Sequence, residues 1–275
     1  MIGEETSAAL LSALRREGLD TVEGAFAYGG GEALDKPGLG ARRRTRLAIS
    51  DEDGREHVLY LKRYGKQVAP AVRRWLRQGQ RASAARIEFE NIQAARRADV
   101  PTMCPVLCGE DPCPLGAERS YLIVTAVPGD ALERCFEAFV TRHGRDGAAA
   151  ALAVQLGRLV RRLHDSGHVH RDLYASHVFL DDSDEPCRLY LIDLARMFPV
   201  RWRKARWFTR DLAQLKYSLP ADWTAEHWPA LLAEYLPGVS PAARRRLDRA
   251  VDRKAARIAA QVRRRQARKG GKGGA

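Results

Sequence analysis

The sequence predicts an α+β fold in two lobes, an antiparallel sheet carrying one long helix and then a mainly helical lobe. Three observations predict it. The runs "RTRLAIS" and "HVLYLKRY", joined by the turn "DEDGRE", alternate apolar and polar residues with the period of a half-buried strand. A basic helical stretch from about Pro70 to Ala98 then places Ile87, Ile92 and Ala95 on a common side. Beyond "PGD" at 128–130 the pattern changes to helix, with Leu152, Leu156, Leu159, Val160 and Leu163 at helical spacing in "AAAALAVQLGRLVRRLHDSG".

Taken in order, residues 6–17 read as a short helix stopped by Gly18, and "TVEGAFAY" reads as β-like before the glycine-rich "GGGEALDKPGLGARR". The strand "HVLYLKRY" carries Lys62. A Pro/Cys-rich loop at 101–114 precedes "RSYLIVTAV", a buried strand. Within the helical lobe a pair of short strands, "HVFLD" and "RLYLID", frames the acidic turn "DSDEP", and helix resumes over 206–236. From Pro241, Leu247, Val251, Ala255, Ile258 and Val262 form one apolar stripe in a basic background, and "KGGKGGA" reads as a disordered end. The expected organisation is therefore an N-terminal helix (1–18), a strand-rich lobe (19–127), a helical lobe (128–240) and a basic amphipathic tail (241–275). No period of 20–50 residues repeats.

The formal charge is +13, from 47 Lys and Arg against 34 Asp and Glu. Residues 241–275 hold 13 Lys/Arg and two Asp, a net of +11, so the basic excess belongs to the tail. Five cysteines, an odd number, argue against a disulfide framework and fit a reducing compartment. Cys104, Cys108 and Cys113, without a neighbouring histidine, read as buried or incidental thiols rather than a zinc site. The start is acidic and amphipathic rather than a leader, and no apolar run is long enough to span a bilayer. The expectation is a cytoplasmic protein.

Four residues in order meet the needs of phosphoryl transfer, which are held donor phosphates, a bound divalent metal and an aimed hydroxyl with a base beside it. Lys62, on a strand, can neutralise phosphates as a compact point charge. Glu88, on the following helix, can hold that lysine. Asp172, in "HVHRDLYASHVFL" (168–180), can accept the hydroxyl proton. Asp193, ending "RLYLID", can bind the metal. Each alone is weak, since a strand lysine or helix glutamate is usually surface. Their order, and the strand–turn–strand between Asp172 and Asp193, are specific to a protein-kinase-like fold. The reading requires the two carboxylates, 21 positions apart, to meet with Lys62 from the strand-rich half.

"HRDLYASHVFL", then "LIDLAR", then "RWRKARWFTRDLAQL", resembles the bacterial lipopolysaccharide kinases that act on Kdo or core heptose. The shared marks are Asp172 with a histidine five residues on, Leu194 in place of phenylalanine after Asp193, Arg196, and the downstream "RDLAQL". "EFENIQAARRADVPTM" resembles the family's helix with its glutamate at Glu88. The resemblance spans roughly residues 20–220. It implies a kinase that uses ATP and Mg²⁺, a lipopolysaccharide core sugar as acceptor, and adenine held by backbone groups near Ala126 and Val127.

His177 stands where an amide is usual. An imidazole is a poor ligand for Mg²⁺, so Asp193 is expected to dominate metal binding. His177 is then a second ligand, a contact to phosphate or substrate, or a core histidine orienting the loop. His170 reads as structural, and Arg171 as paired with a carboxylate or carbonyl. Backbone N–H groups near Gly38 and Gly40 either cradle phosphates or belong to a plain hairpin. Asp211 either buttresses the catalytic loop or is a helix-terminal acid favoured by the dipole.

Only 17 residues separate Asp193 from Asp211, which argues against an activation loop that docks a peptide. Arg201, Arg203, Lys204 and Arg206 with Trp202 and Trp207 suit an anionic, amphiphilic acceptor. The basic C-terminal helix fits an anionic membrane surface, making the protein peripheral at the inner membrane. A nucleic-acid tail or a solvated helix would carry the same charge, but no specific nucleic acid is expected. The alternatives are a kinase of this fold acting on a small metabolite or protein, and a catalytically dead pseudokinase that binds nucleotide or anion.

Overall fold

A computed structural model describes residues 1–34, 42–65, 82–113, 116–184 and 187–270. Gly38 and Gly40 lie outside the described residues. The chain divides into two compact units, Met1–Arg97 with Thr102–Val127, and Ala98–Pro101 with Pro128–Ala275.

The first unit opens with helix α1 (Ala8–Arg16), whose first turn is capped by the Ser7 hydroxyl accepting from Leu10 N–H. A second short helix, α2 (Val22–Ala27), occupies the stretch expected to be β-like. Thr21 caps it through Gly24 N–H, and Val22 and Ala25, three apart, bury on one side, so a local cap outweighs a weak alternating pattern. Strands β1 (Glu32–Ala33), β2 (Arg42–Ser50) and β3 (Glu56–Tyr64) follow, then helix α3 (Ala84–Arg97), β4 (Pro105–Cys113) and β5 (Gly116–Thr125). They make one antiparallel sheet in the order β1-β2-β3-β5-β4. Leu47, Leu59, Leu61, Tyr121 and Ile123 on one face pack with Leu10, Leu14, Leu19 and Ala25 of the N-terminal helices.

Two expectations are corrected here. The described helix does not run through from Pro70. Ala82 and Ser83 are not helical, and α3 starts at Ala84 with Ser83 Oγ accepting from Arg86 N–H. The Pro/Cys-rich loop is a strand. β4 is an edge of the sheet, where prolines cost no ladder bond, and its register slips between Pro105 and Leu107 and between Glu110 and Pro112.

The second unit continues with β6 (Asp130–Ala131), α4 (Leu132–His143), a π turn over Gly144–Ala148 and α5 (Ala149–Asp165). After β7 (His168–Val169) come the hairpin β8 (Val178–Asp181) and β9 (Arg188–Leu191), then β10 (Phe198–Pro199), α6 (Lys204–Ser218), α7 (Ala221–Tyr235) and α8 (Pro241–Gly270). The apolar stripe foreseen in the tail packs inward: Val251 is fully buried and Leu247, Ala255, Ile258 and Val262 are partly covered, with α8 lying along α6 and α7. Among the described residues no helix is long and apolar enough to cross a membrane.

Gly157 of α5 sits against the backbone of α7. A Cβ there would fall 2.5 Å from Leu231 O and 2.9 Å from Glu234 Cβ. Gly157→Ala must push the two helices apart, so a loss of about 1–3 kcal/mol is expected, read as a lower Tm by calorimetry. Gly147→Ala, where a Cβ meets nothing within 4 Å, should leave Tm unchanged.

Candidate functional site

In the first unit, Lys62 faces α3 from the middle strands of the sheet, paired across to Arg44 on β2 and Leu122 on β5. Its ammonium donates to Glu88 Oε1 at 2.5 Å, and Tyr64 donates its hydroxyl to Glu88 Oε2. Lys62 is 8% exposed and Glu88 0%. A buried carboxylate is tolerable only when its charge and lone pairs are met, and here a cation takes one oxygen and a phenol the other. Period two along β3 puts residues 62 and 64 on the same face, which was the sequence signal for Tyr64. The structure thus brings Lys62 and Glu88 together.

Beyond Thr125 the backbone offers few donors. Ala126 N–H already donates to Val58 O at 2.9 Å, and Pro128 has no N–H. Of the pair expected to face adenine, Val127 keeps the N–H that this stretch can still present.

In the second unit the β8–β9 register explains the 21-residue spacing. Val178 pairs with Leu191, so His177 and Ile192 close the open end of the hairpin, where Ile192 N–H donates to His177 O at 3.0 Å. His177 and Asp193 are thereby neighbours, with Nε2 3.8 Å from Asp193 Oδ2. The other ring nitrogen, Nδ1, lies 2.7 Å from the Asp172 carbonyl. A carbonyl can only accept, so Nδ1 donates to it and Nε2 is left facing Asp193. A ring nitrogen and a carboxylate so placed are positioned to share a cation. His177 therefore has a definite place in the loop, bonded to the backbone of Asp172 with its second nitrogen facing the carboxylate of Asp193.

Asp172 itself is held by Arg196, whose Nη1 lies 2.8 and 2.7 Å from the two carboxylate oxygens. The 3₁₀ turn Leu194–Arg196 directly after Asp193 swings this arginine back over the loop. Sequence reasoning had used Arg196 only as a mark of resemblance, and its one-turn spacing from Asp193 was the available signal. Asp193 stands in the left-handed region at φ 60°. His170, fully buried, lies with Nε2 3.0 Å from Ile192 O, so Nε2 donates and steadies the residue before Asp193. Burial holds its imidazole below the usual histidine range, and its buried Nδ1 has no hydrogen-bond partner among the described residues. His170 is thus a neutral structural ring.

Asp211, 0% exposed, fixes the loop from α6. Its carboxylate accepts His170 N–H at 2.7 Å and Arg171 N–H at 2.9 Å. His164 Nε2 lies 3.4 Å away, and His164 Nδ1 is 2.8 Å from the Tyr235 hydroxyl. The two N–H bonds hold Arg171 at φ 72°, a left-handed conformation that costs a non-glycine residue about 1–3 kcal/mol. Among the described residues the Arg171 side chain pairs with no carboxylate. Its guanidinium lies over the rings of Phe198 and Trp207, at 5.4 and 5.9 Å. His164 and Tyr235 were not foreseen, because a buried histidine in an apolar helix reads as ordinary core.

Cys104 and Cys108 carry thiols held in the protonated direction. Burial pushes the Cys108 thiol up to about 12 and raises Cys104 as well, the reverse of what a thiolate ligand needs. Among the described residues no cluster of three His, Cys, Asp or Glu could hold a metal alone, so an ion at Asp193 and His177 would complete its shell with other oxygens.

Asp211→Ala leaves two loop N–H groups unpaired at about 1–3 kcal/mol each and frees Arg171 from its strained conformation. A lowered Tm is expected, with faster hydrogen exchange at the amides of 170 and 171.

The model of the lipopolysaccharide kinase (Kdo/WaaP) family matches residues 34–235. The lipopolysaccharide core heptose(I) kinase WaaP of Pseudomonas aeruginosa is 31% identical over 140 residues, 49% of this chain and 52% of that protein. A probable serine/threonine-protein kinase BUD32 homolog of Archaeoglobus fulgidus is 26% identical over 118 residues, 43% of this chain and 48% of that one. The chain thus spans about half the length of the curated relatives it matches. A solved structure of WaaP in complex with acyl carrier protein superposes with a TM-score of 0.67 at 23% identity, covering 94% of this chain and 98% of that one, and shows the same fold. With a family model matched over most of its length and the kinase-like fold beneath it, the chain belongs to the lipopolysaccharide kinase (Kdo/WaaP) family.

Proposed function

We propose that the chain is an ATP-dependent phosphotransferase that phosphorylates a sugar hydroxyl, heptose or Kdo, of the lipopolysaccharide core. The family match supports the reaction class and acceptor. The observation that carries the reading is the second unit's loop, where Asp172 is held by Arg196 and the His177 ring, bonded to the Asp172 carbonyl, stands beside Asp193.

Asp172 is the base that takes the hydroxyl proton as the oxygen attacks phosphorus. Arg196 keeps its carboxylate oriented and lies close to the charge that develops on the transferring group. Lys62, aimed by Glu88 and Tyr64, holds donor phosphates as a point charge. Val127 N–H and the neighbouring carbonyls receive adenine. Asp193, with His177 beside it, would hold Mg²⁺, which when bound neutralises charge between the phosphates. His177, its ring fixed by the Asp172 carbonyl, presents its second nitrogen beside Asp193.

The same reading puts the protein in the cytoplasm, peripheral at the inner membrane. The apolar stripe of α8 is engaged in packing, so attachment to an anionic surface rests on charge, above all on the exposed Arg263, Arg264 and Arg265.

Asp172→Ala should slow transfer by at least about 10²-fold in single-turnover assays with labelled ATP and lipopolysaccharide core, with nucleotide affinity kept. Asp193→Ala should instead weaken Mg²⁺-ATP binding itself. Wild-type turnover in Asp172→Ala would remove it as the base. Replacing Arg263, Arg264 and Arg265 by Gln should reduce sedimentation with anionic vesicles, by about 1 kcal/mol per arginine and more at low salt. Unchanged sedimentation would dismiss the membrane attachment.

A further inference from the structure

A cleft of about 510 Å³ lies between α6 and α8, wholly within the second unit. One wall is Arg206 and Arg210 with Trp207, and the other is Arg253, Lys254 and Arg257. Helical spacing explains both walls: 206 and 210 share a face, as do 253, 254 and 257. Ala205 and Ala250 line it as well, small residues that leave room for a ligand. No carboxylate contributes to the lining, and among the described residues none of the five cations forms an ion pair. The acids of α8 are used elsewhere: Lys216 of α6 holds Asp248 at 2.9 Å and Asp252 at 2.6 Å, and Trp228 Nε1 donates to Asp248. Burial, then Arg210, Arg206 and Arg257, hold the Lys254 ammonium below the usual lysine range, as expected for a cation crowded by its own kind.

The cleft is also linked to the loop of Asp172. The Trp207 ring has Arg210 at 5.8 Å and Arg171 at 5.9 Å from its centroid. A ligand held by Arg210 therefore lies one indole ring from the residue that precedes Asp172.

We propose that this cleft binds a multiply charged phosphate group, a phosphomonoester or diphosphate already carried by the acceptor, and so anchors the acceptor beside Asp172. Several guanidinium forks around one concavity match the oxygens of a phosphate and demand more than one negative charge. A recess of this size fits a discrete group, whereas a bilayer presents a flat array of singly charged headgroups. The placement beside Asp172 rests on the kinase reading, but the binding does not.

The test uses the full chain with Asp193→Ala, without ATP or divalent metal, so that no phosphate is held through a metal at the nucleotide locus. Isothermal titration with inorganic pyrophosphate should show binding. Arg253→Gln and Arg257→Gln, both at exposed positions, should each weaken it at least 10-fold, and Arg268→Gln, farther along α8, should leave it unchanged. No binding, or equal weakening by all three, would overturn the proposal, because diffuse charge would then suffice. Vesicles with a quarter anionic phospholipid form the second arm. Loss of vesicle binding in Arg257→Gln with pyrophosphate affinity intact would assign the residue to a membrane surface instead and also overturn it. In the chain with Asp193 intact, Arg257→Gln should raise KM for a phosphorylated core at least 5-fold with kcat kept, and dephosphorylated core should show no such difference. A difference in both would refute the anchoring. Absence of any transfer with pyrophosphate binding present would count against the kinase reading alone.

Discussion

The second unit depends on one buried carboxylate. Asp211 is taken wholly out of water, a cost of several kcal/mol for an unpaired ion, and it is tolerated because two backbone N–H groups and an imidazole surround it. Those N–H groups belong to His170 and Arg171, the residues before Asp172. Their bonds to a single rigid acceptor fix the plane of the loop and hold Arg171 in a conformation it would not keep alone. His164, stacked on Phe208 with ring centroids 4.2 Å apart and hydrogen-bonded to Tyr235, closes the other side of the charge. α5, α6 and α7 therefore meet at Asp211, and the loop inherits the rigidity of three helices.

From that anchor the geometry propagates along backbone bonds rather than through side chains alone. His170 grips the carbonyl of Ile192, His177 grips the carbonyl of Asp172, and Ile192 N–H returns to His177 O. The loop is thus closed on itself once and stitched to the turn after β9 at two points. A histidine at 177 suits this better than it suits metal ligation alone. One nitrogen must donate to a carbonyl, and an imidazole then leaves its second nitrogen aimed in a fixed direction, whereas an amide could flip.

Much of this was legible in the sequence for definite reasons. Strand β2 alternates cleanly because one face is buried, β5 reads as a continuous apolar run because both of its faces are covered, and the helices of the second unit show their leucine stripes because they pack on one side. Asp172, Asp193 and Lys62 with Glu88 could be picked out because their order along the chain, with a strand–turn–strand between the two aspartates, is specific where each residue alone is not. The failures have local causes. α2 carries too few residues for its period to outweigh its valine and aromatic content, and β4 hides behind prolines that only an edge strand with bulges can accept. Tyr64 and Arg196 offered no more than their spacing and His164 not even that, because each acts on a partner whose position depends on tertiary contacts far along the chain.

The charge distribution follows the same logic of what a fold must tolerate. The tail holds most of the excess positive charge, yet its acids are spent on Lys216 at the contact with α6, where they bring α8 against the body of the unit. What remains on the adjoining faces is a set of like charges pressed together, an arrangement that lowers the stability of the compact state. Swapping the roles, with Asp248 and Asp252 turned to the cleft, would have neutralised it at no cost in composition. A sequence that keeps its cations crowded and its acids elsewhere carries stability lost at one place, and such losses are retained where a site needs the uncompensated charge. The neighbouring Arg171, held in a strained backbone and shared between Phe198 and Trp207, extends that positive field to the edge of the Asp172 loop.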